Sequence, residues 1–245
     1  MTTQSPDVHS GDGGSARVRG SGESTASMAG PNGTFSPPAS AAALAFSLAV
    51  VGGVTALCLI AMYAFELDSS AHQSAHQVFG PLSDIGSVVW NVLLLPVVIG
   101  FGRSVLPRRW GRLIVTITAA STVVSAVSSA LLVVGVLSFE ESTTLTVAAI
   151  FLQAGWLLAV GAGVRPVPGW SVLGRTAEMI GVGFWIGALL FGASLLLGWG
   201  TALQWVVMGT ALVPGLLAWF GWPVWFYLLG RRIAPTSART SRSAR

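Results

Sequence analysis

The sequence is poor in charge and in cysteine. Only 9% of its 245 residues are charged, whereas an ordinary globular domain is about 25% charged, so one large water-soluble core is excluded. Lysine is absent, and all 13 basic residues are arginine. The single cysteine, Cys58, excludes an intramolecular disulfide.

Catalytic signatures are also missing. The chain has no Walker loop, dinucleotide fingerprint, nucleophile elbow, His-Glu-x-x-His or Cys-x-x-Cys motif. Charged residues within the apolar stretches are too few for a carboxylate proton relay. We therefore expect no cofactor, and the sequence favours a protein that is not an enzyme.

What the sequence does contain is six apolar stretches, at 41–65, 79–102, 113–138, 144–163, 177–198 and 203–230. Each is long enough, at about 20 residues or more, to cross roughly 30 Å of hydrocarbon as a helix. Strands of a membrane barrel alternate apolar and polar residues, and these stretches do not. The sequence predicts an all-α membrane protein, a compact up-and-down bundle of six transmembrane helices embedded in the lipid bilayer.

The arginines alternate from one connection to the next. The second and fourth connections and the C-terminal segment are basic, the first and third are acidic, and the fifth is uncharged. Because basic connections stay in the cytoplasm, we expect a multi-pass protein of the cell (inner) membrane with both termini cytoplasmic. Topology thus accounts for the basic charge, and no nucleic-acid partner is expected. The orienting arginines are Arg103, Arg108, Arg109, Arg112, Arg165, Arg175, Arg231 and Arg232.

The two chain ends and several tryptophans follow from this topology. Residues 1–39 are predicted to be a disordered cytoplasmic tail, in which Met28 is a candidate start. Residues 231–245 are predicted to be a disordered basic tail attracted to anionic lipid headgroups. Trp222 and Trp225 are predicted to lie at the cytoplasmic interface of the membrane.

A few polar residues fall inside the apolar stretches. They are Asp84, Ser87, Asn91, Thr118, Thr122, Ser125 and Gln153. The first three share one face of the second predicted helix, and the hydroxyl residues form a stripe on the third. A buried glutamine needs a partner, which Asn91 or the hydroxyl stripe could supply. The stripe either lines a polar path or mediates close helix packing, and packing is favoured.

A histidine pair precedes the second apolar stretch. His72 and His76 are four residues apart, a spacing that places both imidazoles on one helix face as in metal sites, with Glu66 and Asp68 as further ligand candidates. The alternative is a solvated polar loop, which is favoured because few features of a metal site are visible.

Two shorter patterns concern helix contacts. Gly183 and Gly187 form a Gly-x-x-x-Gly step, which predicts close helix contact within the bundle or between protomers. Glu178 follows Arg175 by three residues, and this spacing predicts an ion pair on one helix face.

Several segments resemble a known group of proteins. They are Gly80-Pro81-Leu82-Ser83-Asp84, Trp90-Asn91, Gly135-Val136-Leu137-Ser138-Phe139-Glu140, Pro223-Val224-Trp225 and Gly230-Arg231-Arg232. With the apolar stretches around them, they make 41–233 similar to small six-helix membrane proteins of high-GC bacteria, grouped as domains of unknown function. The resemblance implies the six-helix fold and a bacterial inner membrane, and it brings no catalytic residue.

Three classes of function remain. The favoured one is a non-enzymatic membrane protein of interaction, assembly or membrane maintenance, with a homo-oligomer or another membrane protein as partner. The second is a small-solute or ion permease, in which Asp84 would point inward and meet Gln153 or Thr122. The third is a metal-dependent enzyme or sensor at the outer surface, in which His72, His76 and a carboxylate would converge.

The histidine pair gives a first test. We expect the detergent-purified protein to contain no stoichiometric transition metal, because two histidines without a fixed third ligand fall short of a metal site. Metal content by mass spectrometry, with and without zinc incubation, checks this. Stoichiometric zinc that disappears in the His72→Ala/His76→Ala double variant would instead establish the metal site.

Overall fold

The chain folds into six long helices. A computed structural model describes the backbone of residues 39–66, 72–197 and 201–243, and side chains at 40–61, 78–107, 109–194, 196–197 and 201–234. This part of the chain contains helices only: α1 (Ala39–Glu66), α2 (His72–Val105), α3 (Arg108–Val133), α4 (Phe139–Val164), α5 (Ser171–Leu195) and α6 (Ala202–Ser243). Each includes a stretch long and apolar enough to cross a membrane. The all-α, six-helix bundle predicted from the sequence is confirmed.

The helices form a closed ring. Each packs on its neighbours in the chain, α1 closes the ring against α6, and α2 also touches α4 across the ring. We call the end that carries the α2–α3 and α4–α5 connections the arginine-rich end, and the opposite end the acidic end. Large apolar side chains cover the outside of the ring, Val50, Val92, Val127, Leu189 and Leu217 among them. They form the surface that faces lipid.

Two local signals shift the bounds of α3 and α4 from the predicted 113–138 and 144–163. α3 ends at Val133 because Gly135, with φ of 74°, closes a Schellman motif in which the Val136 and Gly135 N–H groups donate to the Leu131 and Leu132 carbonyls. α4 begins at Phe139 because Ser138 and Glu141 form a capping box.

Helices α2 and α6 are longer than the apolar stretches predicted for them. α2 begins at His72 rather than near 79 and includes Pro81. α6 continues to Ser243, so the segment 231–245 predicted as a disordered tail is helical over most of its length. Ile233 is buried, and arginine is a good helix former that suits a helix C-terminus. The predicted N-terminal tail, with Met28, lies outside the described residues apart from the first residue of α1.

The Gly-x-x-x-Gly step lies within the bundle, between α5 and α6. A Cβ built on Gly183 would stand 3.0 Å from the carbonyl oxygen of Pro214, and one on Gly187 would stand 3.1 Å from the Cα of Gly215. Since both neighbours are backbone atoms, the two helices can approach this closely only with glycine on α5. The step therefore serves contact between helices of one chain.

The arginine-rich end is held by a cross-helix ion pair. Arg165 Nη1 lies 3.1 Å from Glu178 Oε2, which joins the end of α4 to α5. Glu178 thus pairs with Arg165, not with Arg175 as its spacing predicted. Nearby, the Arg232 guanidinium lies 5.9 Å from the ring centre of Trp170. The ion pair thus joins α4 to α5, and the contact of Arg232 with Trp170 joins the α4–α5 connection to α6.

The α5–α6 contact yields a stability prediction. Gly187→Leu should lower the free energy of unfolding by about 1–3 kcal/mol, because the new side chain meets the backbone of α6 and overpacks the contact. Denaturation of the detergent-solubilised protein by sodium dodecyl sulfate, followed by circular dichroism, measures the change.

Gly192→Leu is the matched control. A Cβ at Gly192 meets no atom within 4 Å, and the gain in helix propensity is the same at both sites. Equal stability of the two variants would contradict the close α5–α6 contact.

Candidate functional site

Two side-chain amides meet at the centre of the ring. Gln153 on α4 donates from Nε2 to Asn91 Oδ1 on α2 at 3.1 Å. Asn91 donates from Nδ2 to the Ser87 carbonyl at 2.8 Å and to Ser125 Oγ on α3 at 3.2 Å. Asn91 and Gln153 are 5% and 2% exposed. This buried pair links three helices and lies where α2 and α4 touch.

The hydroxyl stripe of α3 faces the same centre. Gln153 Nε2 also approaches Thr122 Oγ1, at 3.4 Å, and Thr122 donates its own hydroxyl to the Thr118 carbonyl. Thr118, Thr122 and Ser125 are all buried. Gln153 therefore takes partners from both sets that the sequence offered, Asn91 and the hydroxyl stripe.

A cavity of about 50 Å³ lies beside the amide pair. Five helices line it, all except α5, and none of the lining residues is charged. The lining residues are Gly52, Thr55, Ser87, Trp90, Asn91, Ser125, Thr146, Ile150, Gln153, Trp219, Trp222 and Pro223. One wall is therefore amide and hydroxyl, and the other consists of indole rings and a proline.

Aromatic rings fill the bundle on the arginine-rich side of the cavity. Trp90 meets Trp222 edge to face at 5.7 Å and Phe226 at 5.4 Å, and Phe226 meets Trp225 at 5.0 Å between ring centres. Trp156 and Trp225 are fully buried. Such edge-to-face packing is favourable for aromatic rings, and here it closes the centre of the bundle.

Trp222 and Trp225, predicted to lie at the cytoplasmic interface of the membrane, do not face lipid headgroups. Trp222 is 4% exposed and Trp225 is not exposed at all, and Trp225 Nε1 donates to the Leu173 carbonyl on α5 at 3.0 Å. α6 is rotated so that both indoles point into the ring, where one finds a backbone partner. Sequence position along a helix gives depth in the membrane and leaves this rotation open.

The acidic side of the cavity is polar instead of aromatic. Ser128 donates to Ser142 Oγ at 3.1 Å, which joins the ends of α3 and α4. Ser83 is also buried, one turn from Ser87, whose hydroxyl donates to the Ser83 carbonyl. The centre of the bundle thus changes from hydroxyl-lined to aromatic along its axis.

Asp84 does not join the amide pair. It is half-buried on α2 and has no hydrogen-bond or ion-pair partner among the described side chains. It precedes Asn91 by seven residues, which is two helical turns or about 10 Å along the axis. The permease hypothesis assigned to Asp84 a contact with Gln153 or Thr122. In the structure Asn91 contacts Gln153, and Thr122 is contacted by Gln153 itself.

The predicted metal site falls mostly outside the described residues. The side chains of Glu66, Asp68, His72 and His76 are not described, although His72 begins α2. The described part of the chain contains no group of three His, Cys, Asp or Glu residues that could hold a metal ion.

The orienting arginines lie together. All those whose side chains are described are exposed at the arginine-rich end, and only the Arg108 side chain falls outside the described set. Arg109 stacks over the exposed Trp110, with 5.6 Å between its guanidinium carbon and the ring centre. Charge is therefore kept away from the cavity.

Comparison with known proteins adds no functional information. No protein-family model, curated protein or solved structure matches the chain.

Sequence reasoning did not assign four of the cavity-lining residues to the site. They are Gly52, Trp90, Trp219 and Trp222. Trp90 packs against Gly52, where a Cβ would overlap the indole ring, and this contact sets one cavity wall. The sequence did offer one signal for Trp90, which directly precedes Asn91. Consecutive residues of a helix are about 100° apart around its axis, so both can border one cavity.

The amide pair gives a coupling prediction. In a double-mutant cycle, Asn91→Ala and Gln153→Ala should show a coupling of about 0.5–2 kcal/mol, the range for hydrogen bonds between membrane helices. Unfolding free energies of the four proteins in detergent measure it.

Asp84→Ala combined with Gln153→Ala is the matched control. It should be additive within about 0.3–0.5 kcal/mol, because the two side chains share no contact. Coupling as large for Asp84 as for Asn91 would contradict the arrangement described here.

Proposed function

We propose that the protein is a permease for small uncharged solutes. The observation that carries the proposal is the cavity itself: a space at the centre of a six-helix ring with a hydrogen-bonding amide wall and no charged lining residue. Ligand sites of membrane bundles lie between helices and combine an apolar wall with a few polar groups that orient the ligand. This cavity has that composition.

An uncharged solute fits the lining better than an ion does. An ion inside the bundle needs compensation for the water it loses, from a counter-charge or from several carbonyl oxygens. The cavity offers neutral amides, hydroxyls and indoles. Amides and hydroxyls instead replace the few hydrogen bonds that a neutral solute makes with water.

The axis of the bundle supports access from the acidic end. Buried hydroxyls lie on that side, whereas the rings of Trp90, Trp222 and Phe226 close the other. With the arginine-rich end in the cytoplasm, the solute enters from outside the cell through the inner membrane. Passage then requires the aromatic rings to separate, and Pro223 beside them weakens α6 at that point.

The other two classes receive less support. An interaction or assembly protein needs no central cavity, and the small Gly183–Gly187 contact that could join protomers is used inside the chain. A metal-dependent enzyme depends on the side chains of His72 and His76, which lie outside the described residues. No contact among the described residues favours an enzymatic activity.

Solute flux tests the proposal. Proteoliposomes containing the protein should swell faster than empty liposomes when an external gradient of urea, acetamide or glycerol is applied, as followed by light scattering. Gln153→Leu should reduce the protein-dependent rate about tenfold or more, because it removes one amide from the polar wall and leaves Asn91 Oδ1 without its donor.

Leu152→Ala is the control for that variant. Leu152 precedes Gln153 but is largely exposed on the lipid side of α4, so its loss should leave the flux unchanged. Proteoliposomes that swell no faster than empty liposomes with any of the three solutes would refute the permease function.

A further inference from the structure

The arginine-rich end carries far more positive than negative charge. Among the described side chains, seven arginines are exposed there and Glu178 is the one acid. Glu178 pairs with Arg165, and the other six arginines have no ion-pair partner within the described part of the chain. The exposed arginines are Arg103, Arg109, Arg112, Arg165, Arg175, Arg231 and Arg232. An excess of positive charge of this size attracts anions.

Arg231 lies on the outside of α6. Its guanidinium carbon lies over the ring of Tyr227, 6.0 Å from the ring centre. Tyr227 comes one helical turn earlier on the same helix face, and 47% of it is exposed. Because the outer surface of the ring of helices faces lipid, the guanidinium rests on an aromatic ring that borders the lipid.

An exposed apolar stripe of α6 leads to Arg231. Its members are spaced by three or four residues, so they share one helix face, and each is more than a third exposed. They are Val213, Leu217, Phe220, Val224 and Tyr227. The stripe is about 20 Å long, which exceeds the roughly 15 Å of hydrocarbon in one leaflet. A long apolar surface that ends in a cation matches an acyl chain that ends in a phosphate.

The ring of Tyr227 also packs against α1. Phe46 meets it edge to face, with 5.9 Å between the ring centres. Phe46 also lies against Gly230, where a Cβ would stand 3.0 Å from the Phe46 ring. We call this contact of Phe46 with Tyr227 and Gly230 the α1–α6 seam. Arg231 therefore lies beside the contact by which α1 closes the ring of helices.

A guanidinium held on a ring is well suited to a phosphate. The ring covers one face of the guanidinium and leaves its N–H donors at the edge, where they match phosphate oxygens in pairs. Because the planar fork is already oriented, less freedom is lost for each hydrogen bond that forms. No acid within the described part of the chain pairs with Arg231 and competes for these donors.

We infer that Arg231 binds the phosphate of an anionic phospholipid whose acyl chain lies along the apolar stripe of α6, beside the α1–α6 seam. The surrounding arginines favour a headgroup with net negative charge over a zwitterionic one. This inference narrows the lipid attraction predicted for the whole segment 231–245 to one residue. It is independent of the proposed solute transport.

Native mass spectrometry of the full-length protein in detergent tests the inference. Phosphatidylglycerol and phosphatidylcholine with the same acyl chains are titrated, and the Kd of the first bound lipid is measured. We expect phosphatidylglycerol to bind at least about fivefold more tightly than phosphatidylcholine. Arg231→Gln should weaken phosphatidylglycerol binding about fivefold, which corresponds to one arginine near an anionic lipid. Since Arg231 is exposed, the variant should keep its fold, which circular dichroism verifies.

Arg112→Gln is the matched control. Arg112 is exposed at the same end and carries the same charge, but the exposed residue one turn deeper along its helix is Thr116 rather than an aromatic ring. Its loss should change the Kd of phosphatidylglycerol less than about twofold. Equal weakening by both substitutions would show a general effect of surface charge and overturn the local site. Equal binding of the two lipids by the wild-type protein would also overturn it.

Glycerol 3-phosphate distinguishes a lipid site from a site for a soluble phosphate. It carries the phosphate and glycerol of the lipid without acyl chains, so it cannot use the apolar stripe. At about 1 mM it should leave bound phosphatidylglycerol in place, because most of the lipid's binding comes from buried apolar area. Displacement of the lipid at that concentration would assign Arg231 to a soluble phosphate and refute the lipid site.

Discussion

The hydrogen bond between the side-chain amides of Asn91 and Gln153 constrains how α2, α3 and α4 are rotated in the ring. Lipid offers no hydrogen bonds, so a buried amide must find its partner within the protein. Asn91 and Gln153 satisfy each other where α2 and α4 touch, and Ser125 and Thr122 bring α3 to the same point. Once these faces point inward, the apolar residues on the opposite faces point to lipid.

Much of the fold could be predicted because the features that direct membrane insertion, apolar length and flanking positive charge, are visible in the sequence. Apolar length gives the six helices, and arginine spacing gives their alternating direction. Some bounds were also readable: Ser138 with Glu141 is a capping box, and Gly135 is a helix terminator. The extension of α6 beyond Gly230 could not be predicted from the sequence, because Ile233 becomes buried only by packing against other helices.

The site was predictable only in part, since a sequence gives the depth of a residue but not its direction. Gln153 needed a partner, and the chain offered few. Asp84 and Asn91 share one face of α2, so nothing in their spacing told which of them lies at the level of Gln153. For Trp222 and Trp225, a preference of tryptophan for interfaces competed with aromatic packing in the core, and packing prevailed.

The closure of the ring by α1 against α6 has a consequence for how the protein is made. Ribosomes deliver helices in order, so α1 to α5 stand in the bilayer as an open arc before α6 arrives. The hydrogen bond between Asn91 and Gln153 can form as soon as α4 has inserted. The packing of Gly52 and Trp90 is completed only when Pro223 arrives with the last helix. A nascent chain interrupted before α6 therefore leaves the cavity open to lipid, with its amide and hydroxyl groups exposed there, a state that membrane quality control can recognise.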